Sequence, residues 1–287
     1  MNALEVTGLC KKYPKFTLDN VSFSVGEGRV CGLIGRNGAG KSTTLKAIMR
    51  LIAAEGRVKV FGRDFAAEEA AVKSDIGFVG GGFGFYPLKK IKAVSKAFAS
   101  FYPNWNEGTY RKYLSDFGID EEKKPSELSE GMKVKYSLAL ALSHGARLLV
   151  MDEPTSGLDP LSREEFCDIV LELTRENGVS VLFSTHITSD LMRVADDVVY
   201  ISEGRVLTES PLAGLLGAYD KVTFASAADA ARCGCVIGLK TVKEGAEGLV
   251  RRGCAAEGAL RCENADLDAV MIHLETEKKG VRHAETH

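Results

Sequence analysis

Near the start of the chain Val21, Phe23 and Val25 alternate with Ser22 and Ser24, the period of a half-buried strand. Residues 4–7 make a short strand of similar kind, and Val58, Val60 and Phe61, closed by Gly62, make another. The pattern changes at residues 29–34, where Val30, Cys31, Leu33 and Ile34 form an apolar run that suits a sheet covered on both faces. A glycine-rich turn follows, and residues 42–52 then carry apolar side chains at helical spacing. Residues 88–143 are mostly helical by the same test and hold an aromatic cluster of Phe98, Phe101, Tyr102, Trp105, Tyr110, Tyr113 and Phe117. After them the alternation predicts strand 148–151, helix 162–176, strand 180–183, helix 187–194 and strand 198–201. Strand and helix alternating in this way imply a mainly parallel sheet with helices on both faces, into which the helical block is inserted.

Past Gly204 the texture turns to alanine, glycine and weak periodicity. Residues 221–225 and 236–240 predict strands and 267–275 a helix, so 213–287 reads as a small appended domain with a frayed end at 277–287. No internal repeat is visible, which leaves one α/β unit rather than two. The 287 residues suffice for one full-sized core and a smaller one.

A net charge of −2 gives no electrostatic reason to expect nucleic acid. The first residues lack the apolar run of a signal peptide, and no stretch is long enough to span a bilayer. These features predict a cytoplasmic protein, with any membrane part on another chain. The seven cysteines are Cys10, Cys31, Cys167, Cys233, Cys235, Cys254 and Cys262. An odd count without a secretion signal predicts reduced thiols, and Cys233-Gly234-Cys235 lacks the CxxC spacing of a zinc site.

The chemistry starts at Gly35-Arg36-Asn37-Gly38-Ala39-Gly40-Lys41-Ser42-Thr43, a GxxxxGK[ST] loop between a predicted strand and helix. Its glycines free backbone N–H groups to point at phosphate oxygens, and the following helix aims its positive end at the same anion. Lys41 is then expected on the β- and γ-phosphates and Ser42 on Mg²⁺. The loop predicts a nucleoside triphosphate site and leaves kinase, GTPase and ATPase open. A second signal narrows the choice: Leu148-Leu149-Val150-Met151-Asp152-Glu153 is an apolar strand ending in two carboxylates. Asp152 at its tip suits Mg²⁺, and Glu153 is placed to polarise a water.

Leu128-Ser129-Glu130-Gly131-Met132 resembles the ABC signature LSGGQ, upstream of the Asp-Glu strand as in ABC ATPases. The resemblance implies an α/β P-loop NTPase of ABC type over residues 1–212. Its mainly parallel core would carry an N-terminal antiparallel β part and a helical subdomain at about 88–145, followed by the extension at 213–287. It implies ATP with Mg²⁺ and a second ABC ATPase subunit whose phosphate loop meets Ser129 and Gly131 in trans. Ser156-Gly157-Leu158-Asp159 resembles the D-loop at the dimer seam, which places Asp159 there. Ser184-Thr185-His186 resembles the switch loop, whose His186 would hold the γ-phosphate, and Tyr13 stands where an aromatic stacks on adenine.

Within the family, residues 101–105, 138–144 and 183–189 are similar to stand-alone ATPases of bacterial bacitracin-type efflux systems. That similarity implies an integral membrane permease as partner, export of an unknown substrate, and a place on the cytoplasmic face of the membrane. A docking socket for the permease is expected in the aromatic block 83–105, with Phe98, Phe101 and Trp105 mainly in the insertion's own core and Phe85 and Tyr86 as contacts. One departure stands out: the glutamine expected after residues 76–80 falls on Gly81, which has no side chain to reach Mg²⁺. Two other readings stay open at this stage. One is a soluble mechanochemical clamp, though neither a second cassette nor a basic linker is present. The other is a module that holds ATP without turnover, against which Glu153 and His186 argue.

Overall fold

The alternation at residues 21–25 belongs to a β-hairpin in which β1 (Asn2–Tyr13) and β2 (Phe16–Gly26) pair antiparallel, from Leu4 opposite Val25 to Tyr13 opposite Phe16. The computed structural model describes residues 1–80 and 86–285. Val21, Phe23 and Val25 are buried as their spacing requires, because successive side chains in a strand point to opposite faces. Next comes β3 (Val30–Ile34), all five residues of which are buried. The loop of residues 35–40 leads into α1 (Lys41–Ile48), followed by β4 (Glu55–Val60), β5 (Arg63–Asp64), α2 (Glu69–Ser74) and β6 (Ile76–Val79). The insertion holds α3 (Ile91–Ala99), α4 (Glu107–Asp116) and α5 (Glu130–Ser143). Then β7 (Leu148–Asp152), α6 (Pro160–Arg175), β8 (Ser180–Thr185), α7 (Thr188–Val194), β9 (Asp197–Ser202) and β10 (Arg205–Pro211) complete the alternation.

These strands form two sheets, one ordered β2-β1-β4-β5 and one ordered β10-β9-β3-β8-β7-β6. The first is antiparallel; in the second, β3, β6, β7, β8 and β9 run parallel. Leu18, Phe23, Leu33, Leu45 and Val150 share one core between the sheets and α1. The parallel arrangement puts the carboxyl ends of β3, β7 and β8 side by side, with Ile34 opposite Thr185 and Asp152 opposite Ser184. Ligands of open α/β sheets bind at such strand ends.

The helical insertion has its own core around Ile91, Tyr110, Leu114, Tyr136 and Leu140. Ser95 ties two buried phenols together: Tyr110 donates to its Oγ at 2.6 Å, and the Tyr136 hydroxyl lies 2.7 Å from the same atom. Burial pushes the Tyr110 hydroxyl up to about 12. Phe98 and Trp105 pack against this core as expected, and Tyr113 and Phe117 do so too. Phe101 does not; it is 79% exposed, because it follows the end of α3 in the turn leading to α4.

The chain forms two compact units, Met1–Glu209 and Ser210–His287. In the second, α8 (Leu212–Gly217), β11 (Tyr219–Phe224), α9 (Ala227–Cys233), β12 (Ile237–Val242), β13 (Gly245–Arg251), β14 (Arg261–Asn264) and α10 (Leu267–Glu285) build an antiparallel sheet ordered β12-β13-β11-β14 with helices. Val222, Phe224, Ala230, Ala246 and Val250 form its core. The expected fraying from residue 277 is not found, since α10 continues to Glu285.

Candidate nucleotide site at the carboxyl ends of the parallel strands

Between β3 and α1 the chain must turn through a narrow space, and glycine meets that need at two positions. A Cβ on Gly35 would collide with the Ile201 carbonyl oxygen, and one on Gly40, at φ 113°, would come within 2.8 Å of Phe16 Cζ. Gly40 caps α1 and so offers no side-chain acceptor to the N–H groups of the first turn. At Gly38 the space around a hypothetical Cβ is open, and Arg36 and Asn37 beside it are exposed. Ala39 is buried and fixes the loop from below, with Thr43 half-buried on the first turn of α1.

Lys41 is 5% exposed and folds back over the loop, donating to the Gly35 carbonyl at 2.8 Å. It also reaches the Arg36 carbonyl at 3.4 Å and Glu153 Oε1 at 3.2 Å. The other carboxylate oxygen of Glu153 lies 2.7 Å from His186 Nδ1. Glu153 therefore bridges the loop lysine and the histidine at the end of β8. Beside it, Ser42 donates to Asp152 Oδ1 at 2.9 Å. Asp152 itself is buried, so its carboxylate is held by hydrogen bonds rather than by bulk water.

A residue that the sequence placed in the switch loop, without a role of its own, organises this corner. Ser184 Oγ donates to Asp152 Oδ1 at 2.7 Å and accepts from the Glu153 N–H at 3.1 Å. The Ser184 carbonyl accepts from the same N–H. A serine within the apolar run of β8, immediately before Thr185 and His186, was the available signal.

The loop, Lys41, Ser42, Asp152, Glu153 and His186 thus come together. Ser129, Gly131 and Asp159 stand at the starts of two other helices. Ser129 caps α5 by accepting from Met132 N at 3.2 Å. Asp159 caps α6, and its bond from the Ser162 hydroxyl at 2.6 Å is the main reason its carboxyl titrates below the usual range. A Cβ on Gly131 would reach Ser162 Oγ at 3.2 Å, so the two helix starts abut. Tyr13 ends β1 opposite Phe16, the ring that lies against Gly40, and is 38% exposed with the Lys11 ammonium 5.5 Å from its ring centre. Gly81, Phe83 and Phe85 lie outside the described residues.

The donor set fits a polyphosphate with a hard cation. Backbone N–H groups at the start of α1, a buried ammonium and an open glycine suit an anion, while the Ser42 hydroxyl and Asp152 carboxylate are oxygen ligands of the type Mg²⁺ takes. The family model for ABC transporters matches residues 18–156. The chain is 31% identical to the bacitracin transport ATP-binding protein of Enterococcus faecalis, over 72% of this chain and 68% of that one. It is 32% identical to a lantibiotic transport ATP-binding protein of Streptococcus pyogenes, over 74% and 92%. The chain belongs to the ABC transporter ATP-binding proteins. A solved ATP-binding subunit of an ABC transporter superposes with a TM-score of 0.67 at 28% identity, covering 74% of this chain and 91% of that one. The ABC fold is therefore the one drawn above, with its antiparallel β part, parallel P-loop sheet and helical insertion. The bacitracin-type resemblance found in the sequence holds as well.

Proposed function

We propose that the chain is the ATP-hydrolysing subunit of an ABC exporter, working as a head-to-tail pair on a separate membrane permease. The observation that carries the reading is Glu153 held between Lys41 and His186, with Asp152 and Ser42 alongside. Lys41 would exchange its Glu153 contact for β- and γ-phosphate oxygens, because a phosphate carries more charge than one carboxylate oxygen. Glu153 Oε1, released in that exchange, would accept a proton from the attacking water. His186 would hold Glu153 on one side and the γ-phosphate on the other. Ser42 and Asp152 would hold Mg²⁺, which when bound neutralises charge on the phosphates. Gly35 to Thr43, Arg36 and Asn37 included, would wrap the phosphates, and Tyr13 would stack on adenine.

The contacts of Ser129, Gly131 and Asp159 named above are with Met132 and Ser162 rather than with Lys41 or Glu153, and in the proposed pair they meet the partner's nucleotide. The permease reading rests on the relatives' transport systems and on apolar surface in the insertion. Tyr86, Leu88 and Phe101 are 67%, 76% and 79% exposed, and large exposed apolar groups in one region mark interaction sites. A cavity of about 180 Å³ opens between Phe78, Phe98, Tyr102 and His144. A cytoplasmic helix of the permease is the proposed occupant. Among the described residues no helix is long and apolar enough to cross a membrane, so the chain would sit on its cytoplasmic face through that partner.

Phosphate release by the purified protein tests the chemistry. Glu153→Gln is expected to lower the turnover number by about 10²–10⁴-fold, the usual contribution of a general base, while ATP binding is kept. Turnover at the wild-type rate would remove Glu153 from its role.

A further inference from the structure

The C-terminal unit contains a cluster of thiols. Helix α9 ends at Cys233, and Gly234 then takes a left-handed conformation, φ 64°, that turns the chain back on itself. This places Cys233 Sγ and Cys235 Sγ 3.4 Å apart. The Cys235 thiol also hydrogen-bonds the thiol of Cys254, which comes from the loop after β13. Cys233 Sγ lies 3.9 Å from the Ala255 carbonyl, a second tie between that loop and the end of α9. Two segments separated by β12 and β13 thus contribute three thiols to one spot. Cys233 and Cys235 are half-buried against the core of the unit, whereas Cys254 is exposed.

Burial and bonding divide the work among them. Its hydrogen bonds, the one to Cys254 foremost, push the Cys235 thiol up to about 12, so Cys235 keeps its proton at neutral pH. An external disulfide meets Cys254 first because that thiol faces solvent. Reactive thiol sites are accessible and have a second thiol within reach.

We propose that Cys254 and Cys235 are the attacking and resolving thiols of a disulfide-exchange site, with Cys233 as a third thiol behind them. The oxidant is a low-molecular-weight disulfide of the glutathione class. The Cys254 thiolate attacks one of its sulfurs, the small S–S bond breaks, and the departing thiolate takes up the proton that Cys254 gave off. Once Cys254 is in the mixed disulfide its thiol no longer bonds Cys235; Cys235 then gives up its proton and attacks as a thiolate, and the second departing thiolate takes that proton up. The Cys235–Cys254 bond forms, two protein thiols are oxidised, and one small disulfide is reduced to two small thiols. Excess reduced thiol runs the same steps backwards. Cys235 resolves in preference to Cys233 because its thiol already contacts Cys254.

Peptide mapping of the full-length protein tests this after incubation with excess oxidised glutathione and alkylation of the remaining thiols. The expected product is a Cys235–Cys254 bridge that dithiothreitol reverses, while exposed Cys262 on β14 carries either glutathione or the alkylating group. Replacing both Cys233 and Cys235 by Ser should raise the stable glutathione adduct on Cys254 at least tenfold. Cys254→Ser should slow oxidation of Cys235 at least tenfold. A persistent adduct on wild-type Cys254, or a Cys233–Cys235 bridge formed at the same rate without Cys254, would overturn the assignment.

Discussion

Glu153 has φ 50°, in the left-handed region that residues with side chains rarely enter. The strain is held by Ser184, whose carbonyl and hydroxyl oxygens both accept from the Glu153 N–H. One residue thus sets the directions of both acidic groups, since the same hydroxyl donates to Asp152. Ser184→Ala should cost about tenfold in turnover and weaken the Mg²⁺ dependence, as outer-sphere partners of metal ligands usually do. ATP affinity measured without Mg²⁺ should hold, and an equal loss with and without metal would place the effect in the loop instead. The glycine loop and the Asp-Glu pair were legible in the sequence because their spacing is their chemistry. Ser184 was legible only as a member of the switch-loop match, and its role was not, because a serine inside an apolar strand has no spacing that tells which groups it bonds.

At the scale of elements, the insertion depends on polar groups buried among aromatics. Ser95→Ala would remove the acceptor of the Tyr110 hydroxyl and leave it buried without that bond. Chemical denaturation should show a loss of about 1–3 kcal/mol, the usual cost of an orphaned buried polar group. A second group makes this region sensitive to acid. His144 is 1% exposed and stacks on Tyr102 with ring centres 3.9 Å apart. Burial is the main cause holding its pKa below the ordinary histidine value, with its Nδ1 only 3.3 Å from the Ser74 carbonyl. Lys73, paired with Glu69, lines the same cavity.

Because the folded pKa of His144 is depressed, the unfolded chain takes up a proton first as pH falls. The stability from the neutral ring is therefore complete above about 6.5 and declines as pH drops through that value toward the folded pKa. Thermal melts from pH 7.5 to 5 should fall more steeply for the wild type than for His144→Gln; parallel slopes would show that the ring stays hydrated. Aromatic identity alone misassigned Phe101, since a helical stretch with many rings does not tell which ring falls beyond a helix end.

At the scale of the whole chain, the first unit was readable because long apolar runs with clear spacing encode parallel strands buried on both faces. The second unit was only partly so. Its α9 has seven residues, β14 is exposed throughout, and β13 (Gly245–Arg251) mixes two glycines and an alanine with Glu247, Leu249, Val250 and Arg251, so neither length nor hydrophobic contrast marks them. The same limits apply to pairing, for which the chain gives chemistry rather than contacts. Ser129 and Gly131 stand at the start of α5 and Asp159 caps α6, on helices other than the one that begins at Lys41. A second chain turned head to tail would give both groups a common ligand.

Light scattering on Glu153→Gln measures that pairing directly, because slow hydrolysis preserves the ATP-bound state. With saturating ATP and Mg²⁺ the molar mass should double from that of the nucleotide-free protein, and Ser129→Arg in the same background should return it to the monomer value. A monomer mass for Glu153→Gln with ATP fully bound would contradict the head-to-tail ATPase.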